Sequence, residues 1–297
     1  MIINFSTNSY EIIATIIALS VLIVGSITDL KKREVADFIN YGLFFSAIAL
    51  RLIFATITLD YMIILSGFAG FILTLIIALT MFYAGQWGGG DAKMIMGLGI
   101  LFGLPIIPYE LWALWNSPLI AFIINMIIAG SIFGLIWSIV AALKNKDKFI
   151  KTWKDENKNT KNIKLISLAL SLILLISSFI IHEARTIILP IIMLLILIPY
   201  MHTFAKSVEK SSMIMILNPK QITEGDWIEK EIKHKGKYIC GPKDLGITKK
   251  QIALLKKLKI NKIPVKIGIP FIPAFLLGYI MVLIFGNFFT LLLTILI

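Results

Sequence analysis

Long apolar runs separated by short charged gaps constrain this chain more than any other feature. A helix needs about 20 apolar residues to cross a bilayer core. Runs of that class, or close to it, lie at 12–28, 38–58, 62–84, 94–107, 119–143, 165–181, 186–204 and 267–297. Apolar residues make up 58% of the 297 and charged residues only 15%, which excludes a soluble protein of one or two domains. The expectation is an all-α polytopic membrane protein of about eight transmembrane helices (six to eight), with a small cytoplasmic α+β insertion. The first run has no basic region ahead of it and no small-residue cleavage site, so it reads as a retained span.

The runs divide the chain into a membrane core at 1–143 with five spans, a basic loop at 144–164, spans six and seven at 165–205, a polar module at 206–266 and a last span at 267–297. The fourth span is short, closed by Pro105 and Pro108, and the link after it carries Trp112 and Trp115 as interfacial aromatics. The 144–164 segment reads as a solvated, lysine-rich loop. In the module, an amphipathic stretch at 248–258 follows Thr248, a residue suited to cap a helix. A module of about 60 residues buries little core, so it is expected to lean on the membrane part. The last run exceeds one perpendicular span, and Pro270 and Pro273 at its entry suggest a bent or interfacial start.

Alternating eight spans places 31–34, 85–93, 144–164 and 206–266 on one side. That side holds 27 of the 29 Lys and Arg residues; only Arg51 and Arg185 fall elsewhere. By the positive-inside rule it is cytoplasmic, with both termini outside. The net charge of +12 therefore reflects cytoplasmic loops, and nucleic acid is not an expected partner.

Against this background the stretch Trp87-Gly88-Gly89-Gly90-Asp91-Ala92-Lys93 stands out. A carboxylate at the edge of a bilayer is expensive and asks for a reason. Asp91 and Asp29 both fall at cytoplasmic span ends, at similar depth. Two carboxylates facing each other do not both ionise easily; one keeps a proton, and the pair can act as base and acid around a shared water. Peptide hydrolysis without a covalent intermediate requires that arrangement. Covalent routes are poorly supported: Cys240 is the single cysteine, His234 the histidine nearest to it, and no G-x-S-x-G occurs. His182, His202 and His234 are scattered and form no H-E-x-x-H, so no metal and no cofactor is expected.

The residues Thr28-Asp29-Leu30-Lys31-Lys32-Arg33-Glu34-Val35, the later Gly88-Gly89-Gly90-Asp91-Ala92-Lys93 and the C-terminal Gly268-Ile269-Pro270-Phe271-Ile272-Pro273-Ala274-Phe275-Leu276-Leu277-Gly278 together resemble the type IV prepilin peptidase family. The likeness is greatest to its archaeal preflagellin and pilin-processing branch. The resemblance implies a Gly-x-Gly-Asp aspartyl endopeptidase of the cell membrane that removes a short basic leader at the cytoplasmic face. It places the catalytic pair on Asp29 and Asp91. The partners it implies are the lipid bilayer and precursors with a basic leader before an apolar N-terminal helix. Bacterial members that also methylate the new N-terminus carry a cysteine-rich segment between their first two spans. Here that link runs from Asp29 to Asp37 without cysteine, so methyltransferase activity is not expected.

Around the pair, Gly88 and Gly90 are read as permitting the turn, and a simple helix cap is the plainer reading of Asp91. Asp37 competes with Asp29 for the first position. Lys93 either stabilises an ionised Asp91 or meets lipid headgroups. Lys31, Lys32 and Arg33 serve topology and would repel a basic leader; Glu34 and Asp37 are the candidates to meet it. The 206–266 module is a candidate selector among precursors. A transporter or channel using the same acids for cations or protons is the rival reading, and placement of both acids at one edge rather than at the midplane argues against it.

Overall fold

The computed structural model describes residues 2–106 and 111–296, and its chain divides into two compact units: 1–134 with 268–297, and 135–267. Six helices among the described residues are long and apolar enough to cross a membrane, and a bent pair makes a seventh. The protein is a multi-pass, predominantly helical membrane protein.

In the first unit, helix α1 runs over Ile2–Lys32, α2 over Asp37–Thr58 and α3 over Met62–Tyr83. The 22-residue helices α2 and α3 match the expected spans to within a residue or two. Helix α1 goes further than its apolar run and carries Asp29 in its last turn. Arg33 then stops it in a left-handed conformation, φ 59°.

Helix α4, Gly89–Phe102, is the expected short fourth span, beginning five residues earlier than its apolar run and ending earlier too. The far end of that expected span, Ile107 and Pro108, lies outside the described residues, as does Glu110. At 14 residues α4 rises ~21 Å, less than the ~30 Å hydrocarbon core. It is sheathed by α1, α2 and α3, and Met94, Ile95, Leu98 and Leu101 on it are fully buried.

A helix that stops inside a sheath leaves its last carbonyls without intrahelical donors. Arg51 of α2 supplies them. The residue is 5% exposed; its Nε donates to Ile100 O, Nη2 to Leu101 O at 3.1 Å and Nη1 to Ile63 O and to Ser66 Oγ at 2.8 Å. Tyr10 adds its hydroxyl to Leu101 O at 2.6 Å. One of the two cations that break the charge asymmetry is thus a helix cap.

The short α5, Leu111–Trp115, leads to α6, Pro118–Lys144, which belongs to the first unit up to residue 134. The unit is completed by α11, Ile272–Phe285, and α12, Phe288–Leu296. The expected bend in this C-terminal run is present, but at a different place. The two helices meet at 49° around Gly286, φ 64°, and not at the prolines, which precede or open α11. Asn125 of α6 holds both sides of the break: Nδ2 donates to Gly286 O at 2.7 Å, and Oδ1 accepts from Phe288 N at 3.0 Å.

The second unit holds α7, Lys146–Asn159, α8, Lys161–Ile180, and α9, Arg185–Val208. The lysine-rich stretch expected as a loop is therefore largely helical. The spacing of Phe149, Thr152 and Glu156 puts them on one face. That face meets α9 and the turn after it: Phe149 packs on Phe204, Thr152 bonds Ser207 O at 3.2 Å, and Glu156 pairs with Lys210 at 2.6 Å.

Strands β1 (Ile214–Leu217), β2 (Trp227–Ile228) and β5 (Ile263–Lys266) form an antiparallel sheet in the order β1-β5-β2. Strands β3 (Ile232–His234) and β4 (Lys237–Cys240) pair as a hairpin, and α10, Lys249–Lys257, packs beside them. Thr248 caps α10 as its sequence suggested, its side chain accepting from Gln251 N while Gln251 Oε1 accepts from Thr248 N at 2.8 Å. The small core joins Ile228, Cys240, Ile247, Leu255, Ile263 and Val265.

Candidate active site

Three segments of the first unit converge at one end of its helices: the last turn of α1, the turn from Gly85 into α4, and the strap from Gly268 into α11. Each brings a group the local sequence explains. The strap contains Pro270 and Pro273 and leads into a helix start, where the first N–H groups have no intrahelical acceptor and can point at a ligand. The Ile272 N–H, at the first position of α11, donates to Oδ2 of Asp29 at 3.0 Å. Asp29 is 5% exposed. One residue beyond the helix, Arg33 donates from Nη1 to Gly268 O and fastens the same strap to α1.

Close approach of the helices is built in one turn below Asp29. A Cβ on Gly25 would stand 3.1 Å from Met94 Cε and 3.2 Å from Ile272 Cγ2. Hence α1 meets both α4 and α11 here, and Met94 lies three residues, one turn, from Asp91. On the other flank Trp87, 4% exposed, packs its ring against Phe271 at 5.6 Å and Phe275 at 5.5 Å. The turn and the strap are thereby locked together.

Asp91 is the third residue of α4, and its Oδ2 accepts from Gly88 N at 3.1 Å. It does cap the helix, in the manner of an N3 acid reaching back to the N-cap backbone. It lies ahead of the apolar part of α4 and outside the long spanning helices. Desolvation first, and the field of the Asp29 carboxylate second, push its carboxyl up to about 7, with the Gly88 hydrogen bond working against them. Asp29 and Asp91 are thus near enough for one charge to oppose the other. A carboxyl of this kind holds a proton near neutrality, and a pair that shares one proton suits base and acid roles around one water.

The two motif glycines behave differently. Gly88 has φ −76°, a conformation open to any residue, and contributes its N–H. Gly90 lies against the α1–α2 link, where a Cβ would stand 3.2 Å from Val35 Cβ. The positive φ in this turn belongs to Gly85, at 68°.

Lys93 turns away from Asp91. Its Nζ is 2.6 Å from Asp37 Oδ1 and 5.3 Å from the Tyr41 ring centre. Asp37 is therefore engaged at the start of α2, apart from the Asp29–Asp91 pair, and Glu34 sits on the exposed link between α1 and α2.

Some residues here were not singled out from sequence. The Ile272 N–H is one; the proline pair flanking a helix start was its signal. Ser26 and Asn40 are two more, each three residues inward from Asp29 and Asp37. Both are buried, and Ser26 Oγ and both polar atoms of the Asn40 amide have no hydrogen-bond partner among the described residues. Among the described residues no group of three His, Cys, Asp or Glu side chains is arranged to hold a metal ion. In the second unit, burial pushes the Cys240 thiol up to about 11, which leaves little thiolate at neutral pH.

Comparison with known proteins bears on this site directly. Residues 16–139, which include Asp29 and Asp91, match the type IV leader peptidase family. A preflagellin peptidase of Methanocaldococcus jannaschii is 31% identical over 134 residues, 44% of this chain and 56% of the relative. Preflagellin peptidases of Methanococcus maripaludis and Methanococcus voltae are each 38% identical, over 94 and 89 residues. Those stretches are 29% and 30% of this chain and 38% of either relative. The chain thus spans from about two fifths to just over half the length of the curated relatives it matches. No solved structure matches. The resemblance to the type IV leader peptidase family, in its archaeal preflagellin branch, is shown by these matches; the strap at 268–273 lies beyond the part matched by the family model.

Proposed function

We propose that the protein is a membrane-embedded aspartyl endopeptidase that removes short basic leaders from preflagellin-like or prepilin-like precursors. One observation carries the reading: Asp29 and Asp91, two of the acids inside the family-matched region, lie close enough to feel each other's charge, Asp29 buried and Asp91 half-buried, with Asp91 pushed up to about 7. Asp29 and Asp91 share one proton and activate a water held between them. The charged carboxylate takes a proton from that water as it attacks the scissile carbonyl, and the protonated one delivers a proton to the leaving amine. The Ile272 N–H steadies Asp29.

The substrate's apolar N-terminal helix lies in the membrane beside the first unit and presents its leader junction at the dyad. The charge asymmetry of the loops puts that face in the cytoplasm, with both termini outside. Glu34 and Asp37, on and beside the link between α1 and α2, are the acids that meet a basic leader. The 206–266 module selects among precursors, and no methyl transfer accompanies cleavage.

Purified protein in detergent, given preflagellin-like and prepilin-like precursors, tests this. Cleavage at the leader junction by wild type, lost in folded Asp29→Asn and Asp91→Asn alike, is the expected result. Cleavage that survives either change removes that aspartate from the dyad. Folded wild type that cuts no precursor overturns the peptidase and favours the transporter.

A further inference from the structure

The second unit contains a groove of about 300 Å³ between the end of α7 and the facing sides of α8 and α9. Its origin is a proline. Pro199, inside α9, has no N–H, so the carbonyl four residues back, Leu195 O, cannot be paired within the helix. Ser167 of α8 donates its hydroxyl to that oxygen, and both Ser167 and Pro199 are buried in the floor of the groove. The helices are thus held together at the floor and leave a trough above it.

The trough is polar at one end and apolar at the other. Lys161, Lys164, Leu165 and Leu168 recur at spacings of three to four and share one face of α8, so cations give way to aliphatic side chains over roughly 10 Å of helix. Ile196 of α9 faces the same space. No carboxylate lines it, and Glu156, the nearby acid of α7, is occupied by Lys210 at 2.6 Å. Lys164 is held in place: Nζ is 2.5 Å from Asn157 Oδ1 and 4.5 Å from the Tyr200 ring centre. Lysines that serve topology alone need neither a trough nor a fixed rotamer. A basic recess at a helix end that opens onto an apolar channel has the shape and charge of a lipid site.

We propose that this groove binds one anionic phospholipid, its phosphodiester between Lys161 and Lys164 and its chains along Leu168 and Ile196. The test uses the full chain in an uncharged detergent, with native mass spectrometry reading retained phosphatidylglycerol, phosphatidylcholine and inorganic phosphate. One phosphatidylglycerol is expected to be retained at least tenfold better than phosphatidylcholine. Lys161→Gln with Lys164→Gln should reduce that retention by about tenfold or more. Leu168→Trp, which fills the apolar arm and keeps both cations, should weaken it as well and decides the matter if the lysine variant does not fold. Equal retention of the two lipids, or no loss in either folded variant, overturns the proposal. Displacement of the lipid by millimolar inorganic phosphate also overturns it, since the site would then take a free anion.

Discussion

Two charged side chains in the first unit are equally hidden and differently served. Asp29 and Arg51 are each 5% exposed, and each is met by backbone groups at a helix end. Arg51 has four of its donors filled by the carbonyls of Ile63, Ile100 and Leu101 and by Ser66 Oγ, with the Tyr10 ring 5.5 Å from its guanidinium carbon. A carboxylate offers about four lone-pair sites, and the Ile272 N–H takes one of those on Asp29. The charge of a second acid acts on it, beside that of Arg33. A buried charge with four of its five donors paired holds a structure together. One with lone pairs to spare and a like-charged neighbour is costly in a folded protein, and chemistry is a sufficient reason to keep it.

The largest effects should separate these two roles. Asp29→Asn and Asp91→Asn should each lower precursor cleavage by roughly 10²–10⁴-fold, the usual worth of an acid–base group, with thermal unfolding little changed. Arg51→Met should do the reverse. Stripping the end of α4 of its donors should cost roughly 3 kcal/mol or more, read as a lower unfolding temperature, while cleavage per folded molecule stays close to wild type. If Arg51→Met abolished cleavage without loss of stability, the division drawn here would fail.

Titration sharpens the acid side of the comparison. With Asp91 pushed up to about 7, its carboxyl is protonated below that value and loses its proton as pH rises through it. Cleavage that depends on that proton should decline across the same interval. In Asp29→Asn the neighbouring charge is gone, so the Asp91 carboxyl band in difference infrared should titrate at lower pH than in wild type. An unmoved band would mean the two acids do not sense each other.

Smaller effects should distinguish the glycines of the motif. Gly88→Ala, with the nearest atom to its new Cβ 3.7 Å away, should cleave within about twofold of wild type. Gly90→Ala meets Val35 at 3.2 Å and should lose more, with activity returning in a Gly90→Ala, Val35→Ala double variant. Smallest of all should be Lys93→Gln. Its partner Asp37 is largely exposed, and pairs of that kind contribute about 0–1 kcal/mol. A large loss of cleavage in Lys93→Gln would put Lys93 back beside Asp91.

Much of this was legible in the chain. The spans at 38–58 and 62–84 coincide with helices because hydropathy over some 20 residues is a strong local signal. Thr248 followed by Gln251 announced a cap, since both partners lie within one turn. The 144–164 segment is largely helical and not a loop, because lysine, glutamate and asparagine content says polar without saying irregular. The face of α7 that packs becomes visible only with α9 beside it. The bend of the last run was expected at its prolines, yet a proline in the first turn of a helix is compatible with a straight start, and the chain breaks at Gly286.

By itself, then, the sequence determined where the chain is apolar enough to cross a membrane, how its cations are distributed and which acids sit at span ends. All three are properties of neighbours along the chain. Tertiary structure alone decided the partners. The Asp29 carboxylate meets an N–H from a residue 243 positions away, Lys93 meets Asp37 across 56, and Arg51 closes a helix 49 and 50 positions off. A hydrogen bond or ion pair reaches only a few ångströms, so which groups make one depends on how the helices pack, and no window of sequence contains that information.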